Sequence, residues 1–189
     1  MIGILALQGD FREHKKVFEG LGETVREVRL PKDLEDLSGL VIPGGESTTI
    51  TKLISMYGFD KAIPEFHNQG KAIWGTCAGA IVVSHEVIGY PDQLRLNLID
   101  ISVERNAYGR QVDSFEAEVT IEPLGPYHAI FIRAPRIVRA GKHVRVLASF
   151  KDNPIMAVQD KVMVTVFHPE LTPDPRVHRY FLSLADSQG

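Results

Sequence analysis

The chain has a single cysteine, and it stands between two small-residue pairs in Gly75-Thr76-Cys77-Ala78-Gly79. The apolar run Ala72-Ile73-Trp74 before it reads as a buried strand, and Ala78 to Val83 after it reads as a helix. A nucleophile on such a strand–turn–helix elbow has a strained backbone, so its neighbours must lack bulky side chains. The helix that follows turns its positive end toward the sulfur, which favours the thiolate. The N–H of Ala78 is placed to act as one oxyanion donor. A second chemical cluster follows the apolar run Val162 to Phe167: His168-Pro169-Glu170-Leu171. Pro169 biases His168 away from helix and fixes its own φ, so the segment reads as extended, with residues 168 and 170 on one face. Glu170 would then orient the His168 imidazole, and His168 would take the proton of Cys77. A buried cysteine in a tight turn can also be only a small hydrophobe; the His-Pro-Glu cluster favours the chemical reading.

The other six histidines have weaker claims. His14, His67, His143 and His178 stand among polar residues and read as solvated, His85 falls on or at the end of the helix after Cys77, and His128 precedes a strand. No His, Cys and carboxylate set has metal-ligand spacing, and no phosphate-binding glycine loop is visible, so neither a metal site nor a cofactor is expected.

The elements that must hold these residues alternate in the first half. Ile2 to Leu7 reads as a strand buried on both faces. Asp10 and Glu13 read as a capping box for a helix through about Leu21. Thr24 to Leu30 and Gly39 to Ile42 read as further strands. Pro43-Gly44-Gly45 ends the last of these, and Ser47 or Thr48 can cap a helix that carries Ile50, Leu53, Ile54 and Tyr57. The second half is strand-rich, with alternating patterns at 99–103 and 116–121, further strands at 129–132, 144–150, 155–158 and 162–167, and a last helix over about 175–184. These patterns predict an α/β, doubly wound, mostly parallel sheet flanked by helices, with an added antiparallel section. Ligands of such sheets bind at the carboxyl ends of the strands, which gathers Gln8, the 43–48 turn, Cys77 and His168 into one candidate site.

Composition sets the frame. The 189 residues are 44% hydrophobic and 24% charged, with net charge −3. That suits one globular domain over residues 1–189, with no nucleic-acid or membrane partner. The first residues read as a strand rather than an export signal, and a lone thiol precludes an internal disulfide, so a cytoplasmic protein is expected.

At this point the sequence resembles the class I glutamine amidotransferases, and among them the glutaminases that serve pyridoxal 5'-phosphate synthases. The likeness runs through Ala6-Leu7-Gln8-Gly9-Asp10, Pro43-Gly44-Gly45-Glu46-Ser47-Thr48, the Cys77 elbow, residues 105–111 (Arg-Asn-Ala-Tyr-Gly-Arg-Gln), Phe131-Ile132-Arg133-Ala134-Pro135, and His168-Pro169-Glu170-Leu171-Thr172. It implies a Cys77, His168, Glu170 triad that hydrolyses L-glutamine through a thioester. It also implies an oxyanion hole of Gly45 and Ala78, and substrate contacts from Gly45, Glu46, Ser47, Arg105, Ile132 and Arg133. The implied partner is a synthase subunit that uses the ammonia to build pyridoxal 5'-phosphate. Tyr108 stands where phenylalanine is commoner, and Gly89 to Asn97 is an unusual version of the loop before Arg105. Three rivals stay open: a glutaminase serving another synthase, such as that of imidazole glycerol phosphate; a cysteine hydrolase of another kind; and a catalytically silent interaction module, against which the intact triad argues.

Overall fold

A computed structural model describes residues 1–105 and 114–188. Its strands are β1 (Ile2–Leu5), β2 (Val25–Val28), β3 (Gly39–Ile42), β4 (Ala72–Thr76), β5 (Ser84–Val87), β6 (Ile99–Glu104), β7 (Ser114–Ile121), β8 (Gly125–Ile132), β9 (Arg136–Ala140), β10 (Arg145–Phe150), β11 (Asn153–Gln159) and β12 (Val162–Thr165). The helices are α1 (Phe11–Gly20), α2 (Ser47–Met56), α3 (Phe59–Asn68), α4 (Ala78–Val83) and α5 (Arg176–Asp186).

Seven strands form the main sheet in the order β10-β11-β12-β4-β3-β1-β2. The run from β12 to β2 is parallel, and β10 and β11 extend it antiparallel. Every residue of β1, β3, β4 and β12 is buried, as strands covered on both faces require. The antiparallel section comes from the hairpin β7–β8 and from β9 against β6 in a smaller sheet, β5-β6-β9, whose β5 pairs β6 in parallel. The expected fold class therefore holds: a mostly parallel sheet flanked by helices, with antiparallel strands added.

The centre of the core is Trp74 on β4. It is fully buried and packs against His14 and Phe18 of α1 and His178 and Phe181 of α5, with ring centroids 4.8–6.4 Å away. Its indole N–H donates to Thr165 Oγ1 at 3.1 Å, which satisfies the one polar atom such a ring carries inside. Large side chains buried this way contribute about 1.5–3 kcal/mol each, so α1 and α5 are fastened to the sheet beneath the site.

Several local expectations need correction. His14 and His178 are not solvated but wholly buried in this cluster. Asp10 precedes α1 but makes no side-chain cap there. The cap of α2 is Glu46, not Ser47 or Thr48: its carboxylate accepts from the Thr48 and Thr49 amides at 3.1 and 2.8 Å. His85 lies on β5 rather than on a helix, and β8 starts early enough to include His128. Helix α3 and strands β5 and β9 were not expected at all. In α3, Phe59, Ile63 and Phe66 are buried at helical spacing, but Pro64 inside it reads as a breaker.

Candidate active site

The parallel strands carry the reactive groups out at their carboxyl ends. β4 leads straight into Cys77, which has φ 50° and ψ −108°, a conformation that L-residues avoid. The strain is held by tight surroundings. The Cys77 N–H donates to Thr165 O at the end of β12 (2.8 Å), and α4 starts at the next residue. A Cβ on Gly75 would overlap the Gly79 carbonyl, and one on Gly79 would overlap the Ile42 carbonyl. The two glycines of the elbow are therefore required by space. Ala78 opens α4, so its N–H has no carbonyl acceptor within the helix and remains available to a ligand.

β12 runs beside β4 in parallel register, Thr165 against Thr76, which brings the segment after it next to the elbow. The His168 N–H is fastened to Ile130 O of β8 at 2.8 Å. His168 Nδ1 meets Glu170 Oε1 at 2.5 Å. The route to that contact differs from the extended segment read from sequence: Pro169–Leu171 is a 3-10 turn. Proline is well suited to the first position of such a turn, because its missing N–H would have had no partner there. Cys77, His168 and Glu170 are 7%, 4% and 7% exposed, so the whole triad is removed from bulk water.

The remaining ring nitrogen, Nε2, is buried with no hydrogen-bond partner of standard geometry among the described residues; the Cys77 thiol donates to Ile132 O at 3.7 Å and acts on the ring electrostatically. Burial works against a charged imidazole here. The hydrogen bonds and charges of Cys77 and Glu170 outweigh it and raise the His168 pKa to about 11. The arrangement thus favours the imidazolium form of His168.

The triad opens into a cavity of about 420 Å³, in the size range of sites for small ligands. Gly45, Glu46, Ser47, Ala78, Arg105, Ile132 and Arg133 all line it, together with Cys77 and His168. The structure thus brings to one cavity the residues named from sequence, while residues 106–111 of the motif after Arg105 lie outside the described residues. A Cβ on Gly44 would come within 3.3 Å of both His168 Cε1 and Cys77 Cβ, so the bare turn is what lets the backbone approach the reacting groups. The Gly44 carbonyl accepts from the Asp10 N–H at 2.9 Å, which points the Gly45 N–H away from Asp10 across its trans peptide.

Glu46 is committed to its own cap. The Thr48 and Thr49 hydroxyls and amides hold its carboxylate ionised and lower its pKa to about 2, a fixed negative charge on the cavity wall. Two residues were missed from sequence. Gln93 donates to Ser47 Oγ at 3.3 Å and accepts from Arg105 Nη1 at 2.7 Å, while the Tyr90 ring lies 4.1 Å from the Arg105 guanidinium. Both belong to the unusual loop 89–97, so that loop positions Arg105 rather than loosening it. Arg95 fixes the loop through the carbonyls of His85, Pro91 and Gln93. Asp10 also lines the cavity, with Oδ2 3.9 Å from His168 Nδ1. Asp10, His168 and Glu170 bring ligand-type atoms within 4.8 Å of one another. A cation there would have to take the Nδ1 that Glu170 already holds, and so disable the base.

The fold is that of the class I glutamine amidotransferases. A solved structure described as a glutamine amidotransferase matches with TM-score 0.95 and 52% identity, covering 98% of this chain and 99% of that one. PurLQS from Thermotoga maritima shares the fold at TM-score 0.71 and 15% identity, over 96% of both chains. The chain belongs to the SNO glutamine amidotransferase family, whose model matches residues 4–186. Its relatives include a pyridoxal 5'-phosphate synthase subunit PdxT of Thermus thermophilus, 55% identical over 98% of this chain and 97% of that protein. The subunit of the same name from Deinococcus radiodurans is 53% identical over 100% of this chain and 98% of its own.

Proposed function

We propose that this chain is the glutaminase subunit of a pyridoxal 5'-phosphate synthase, releasing glutamate and ammonia from L-glutamine and passing the ammonia to a synthase subunit. The reading is carried by the line Cys77–His168–Glu170 against a cavity of about 420 Å³ that has room for an amino acid; the names of relatives alike over nearly the full chain supply the partner.

The Cys77 thiolate attacks the side-chain amide carbon of glutamine. Negative charge moves to the carbonyl oxygen, which meets the N–H groups of Ala78 and Gly45. His168 gives its Nε2 proton to the departing nitrogen, the C–N bond breaks, and ammonia leaves a thioester behind. Water then gives a proton to His168 and attacks the thioester carbon. Glutamate departs and the thiolate returns, with His168 again charged. Glu170 holds Nδ1–H throughout and balances the imidazolium. At the other end of the substrate, Arg105 and Arg133 suit the α-carboxylate and the fixed charge of Glu46 suits the ammonium, with Ser47 and Ile132 completing the wall. Residues 1–189 act as one glutaminase domain in this reading. A reducing cytoplasm suits a lone catalytic thiol, and among the described residues no helix is long and apolar enough to cross a membrane.

The test is ammonia release from glutamine by the chain alone and with the synthase subunit. Glutamine-dependent release that rises on addition of that subunit is expected. Retained turnover in a Cys77→Ala complex would overturn the triad, and hydrolysis of peptides or esters without glutamine turnover would favour another cysteine hydrolase.

A further inference from the structure

Behind the triad lies a second set of titratable groups that the mechanism above does not use. Glu170 spends Oε1 on His168. Its other oxygen, Oε2, is buried and lacks a hydrogen bond of standard geometry among the described residues. The imidazole facing it is His14 of α1, with Nε2 3.4 Å from Oε2 and both side chains fully buried. The same Nε2 lies 3.3 Å from Oγ1 of Thr76, the residue before the nucleophile. On its far side, His14 Nδ1 meets His178 Nε2 of α5 at 2.9 Å. His178 Nδ1 is buried with no partner among the described residues.

Two proton arrangements satisfy the bond between the histidines, and they are unequal. If His14 donated from Nδ1, neutral His178 would carry its proton on Nδ1 as an orphaned buried N–H. Bare His14 Nε2 would then face a carboxylate oxygen, lone pair against charge. If His178 donates from Nε2, His14 carries its proton on Nε2, aimed at Glu170 Oε2 and Thr76 Oγ1. Only one bare nitrogen, His178 Nδ1, is left unpaired. Orphaned buried N–H groups are rarer than under-used acceptors, so both ends of the chain select the second arrangement.

We propose that His14 is a positioning residue of the triad: His178 fixes its tautomer, and its Nε2–H anchors the free oxygen of Glu170. Neutral rings fit this role. Burial first, then the facing His178 and His168, hold the His14 pKa well below its ordinary value, and burial lowers that of His178 to about 3. A carboxylate held by one oxygen can turn about its last torsion; held by both, it presents Oε1 to His168 in one plane. The order runs His178, His14, Glu170, His168, Cys77, so the reacting pair is tied to the packing of α5 and α1.

This rests on the glutaminase reading, and its test separates the two. In the ¹⁵N-histidine-labelled chain, NMR should find His14 neutral with its proton on Nε2. A proton on Nδ1, or a charged ring, would overturn the proposal whatever the activity. In the complex with the synthase subunit, His14→Leu should lower kcat by about 10- to 100-fold and leave KM for glutamine within about twofold, the pattern of a lost supporting partner. His14→Gln places an amide N–H near the lost one and should recover most of that rate. An undiminished kcat in His14→Leu, or a folded His14→Gln as slow as His14→Leu, would overturn it. Absence of glutaminase activity in the unaltered complex would instead remove the functional reading and leave the tautomer measurement standing.

Discussion

The site has two halves built on opposite plans. The reacting half is interior: Cys77, His168 and Glu170 are held by parallel strands, a 3-10 turn and buried rings, and His168 Nδ1 is paired with Glu170 Oε1. The recognising half is peripheral. Glu46, Ile132 and Arg133 are exposed on the cavity wall, and Arg105 is steadied by a surface loop through Gln93 and Tyr90. Burial makes charge interactions strong and geometry rigid, whereas loop contacts to charged groups in water are weaker and adjustable. Damage to the first half should therefore appear in kcat, and damage to the second in KM.

The largest effect that can break this division is Cys77→Ala. In the complex it should lower kcat by about 10⁴- to 10⁶-fold while glutamine still binds, measured by turnover and by calorimetric titration. Loss of binding together with loss of rate would merge the halves. Glu170→Gln comes next, with a fall in kcat of about 10²- to 10⁴-fold and little change in KM, because it removes the charge that balances the imidazolium. A KM effect larger than the kcat effect would place Glu170 in recognition instead. Gln93→Ala tests the periphery. It frees Ser47 and Arg105 together and should raise KM about 5- to 10-fold with kcat within about twofold, the scale of one or two lost hydrogen bonds.

The smallest expected effect is on stability. His14 and His178 are neutral inside, with pKa values below their unfolded value of about 6.5. The unfolded chain therefore binds more protons than the folded one as pH falls. Their contribution is complete above about 6.5 and is lost progressively toward about 3, the folded value for His178. Melting temperature should drop between neutral pH and about 4, and His178→Phe should flatten that drop. An identical slope in the variant would locate the acid sensitivity elsewhere.

The interior half was the more legible in sequence where it depended on backbone. Gly39–Ile42 and Ala78–Val83 match the expected bounds, and the elbow followed from glycine spacing. What escaped was the set of contacts between elements. His14 and His178 have charged neighbours in the chain and so read as solvated, yet each falls on the buried face of its helix. Phe18 lies four residues after His14, and Phe181 lies three after His178. That periodicity was the available signal. Gln93 gave none, since a glutamine in a loop has no pattern to betray its two partners. Glu46 was misjudged because a longer acidic side chain took the cap that serine and threonine usually take.

The crowding around the elbow has a genetic consequence. Any single-base change in a glycine codon that replaces the glycine with another amino acid adds at least a methyl group. At Gly79 that methyl would collide with the Ile42 carbonyl, and at Gly75 with the carbonyl of Gly79. Neither position has a harmless replacement one step away. The seat of the nucleophile is therefore constrained by volume alone, whatever atom occupies it. A descendant that lost its cysteine and its chemistry, but kept this fold, would be expected to carry both glycines still, as a fossil of the turn.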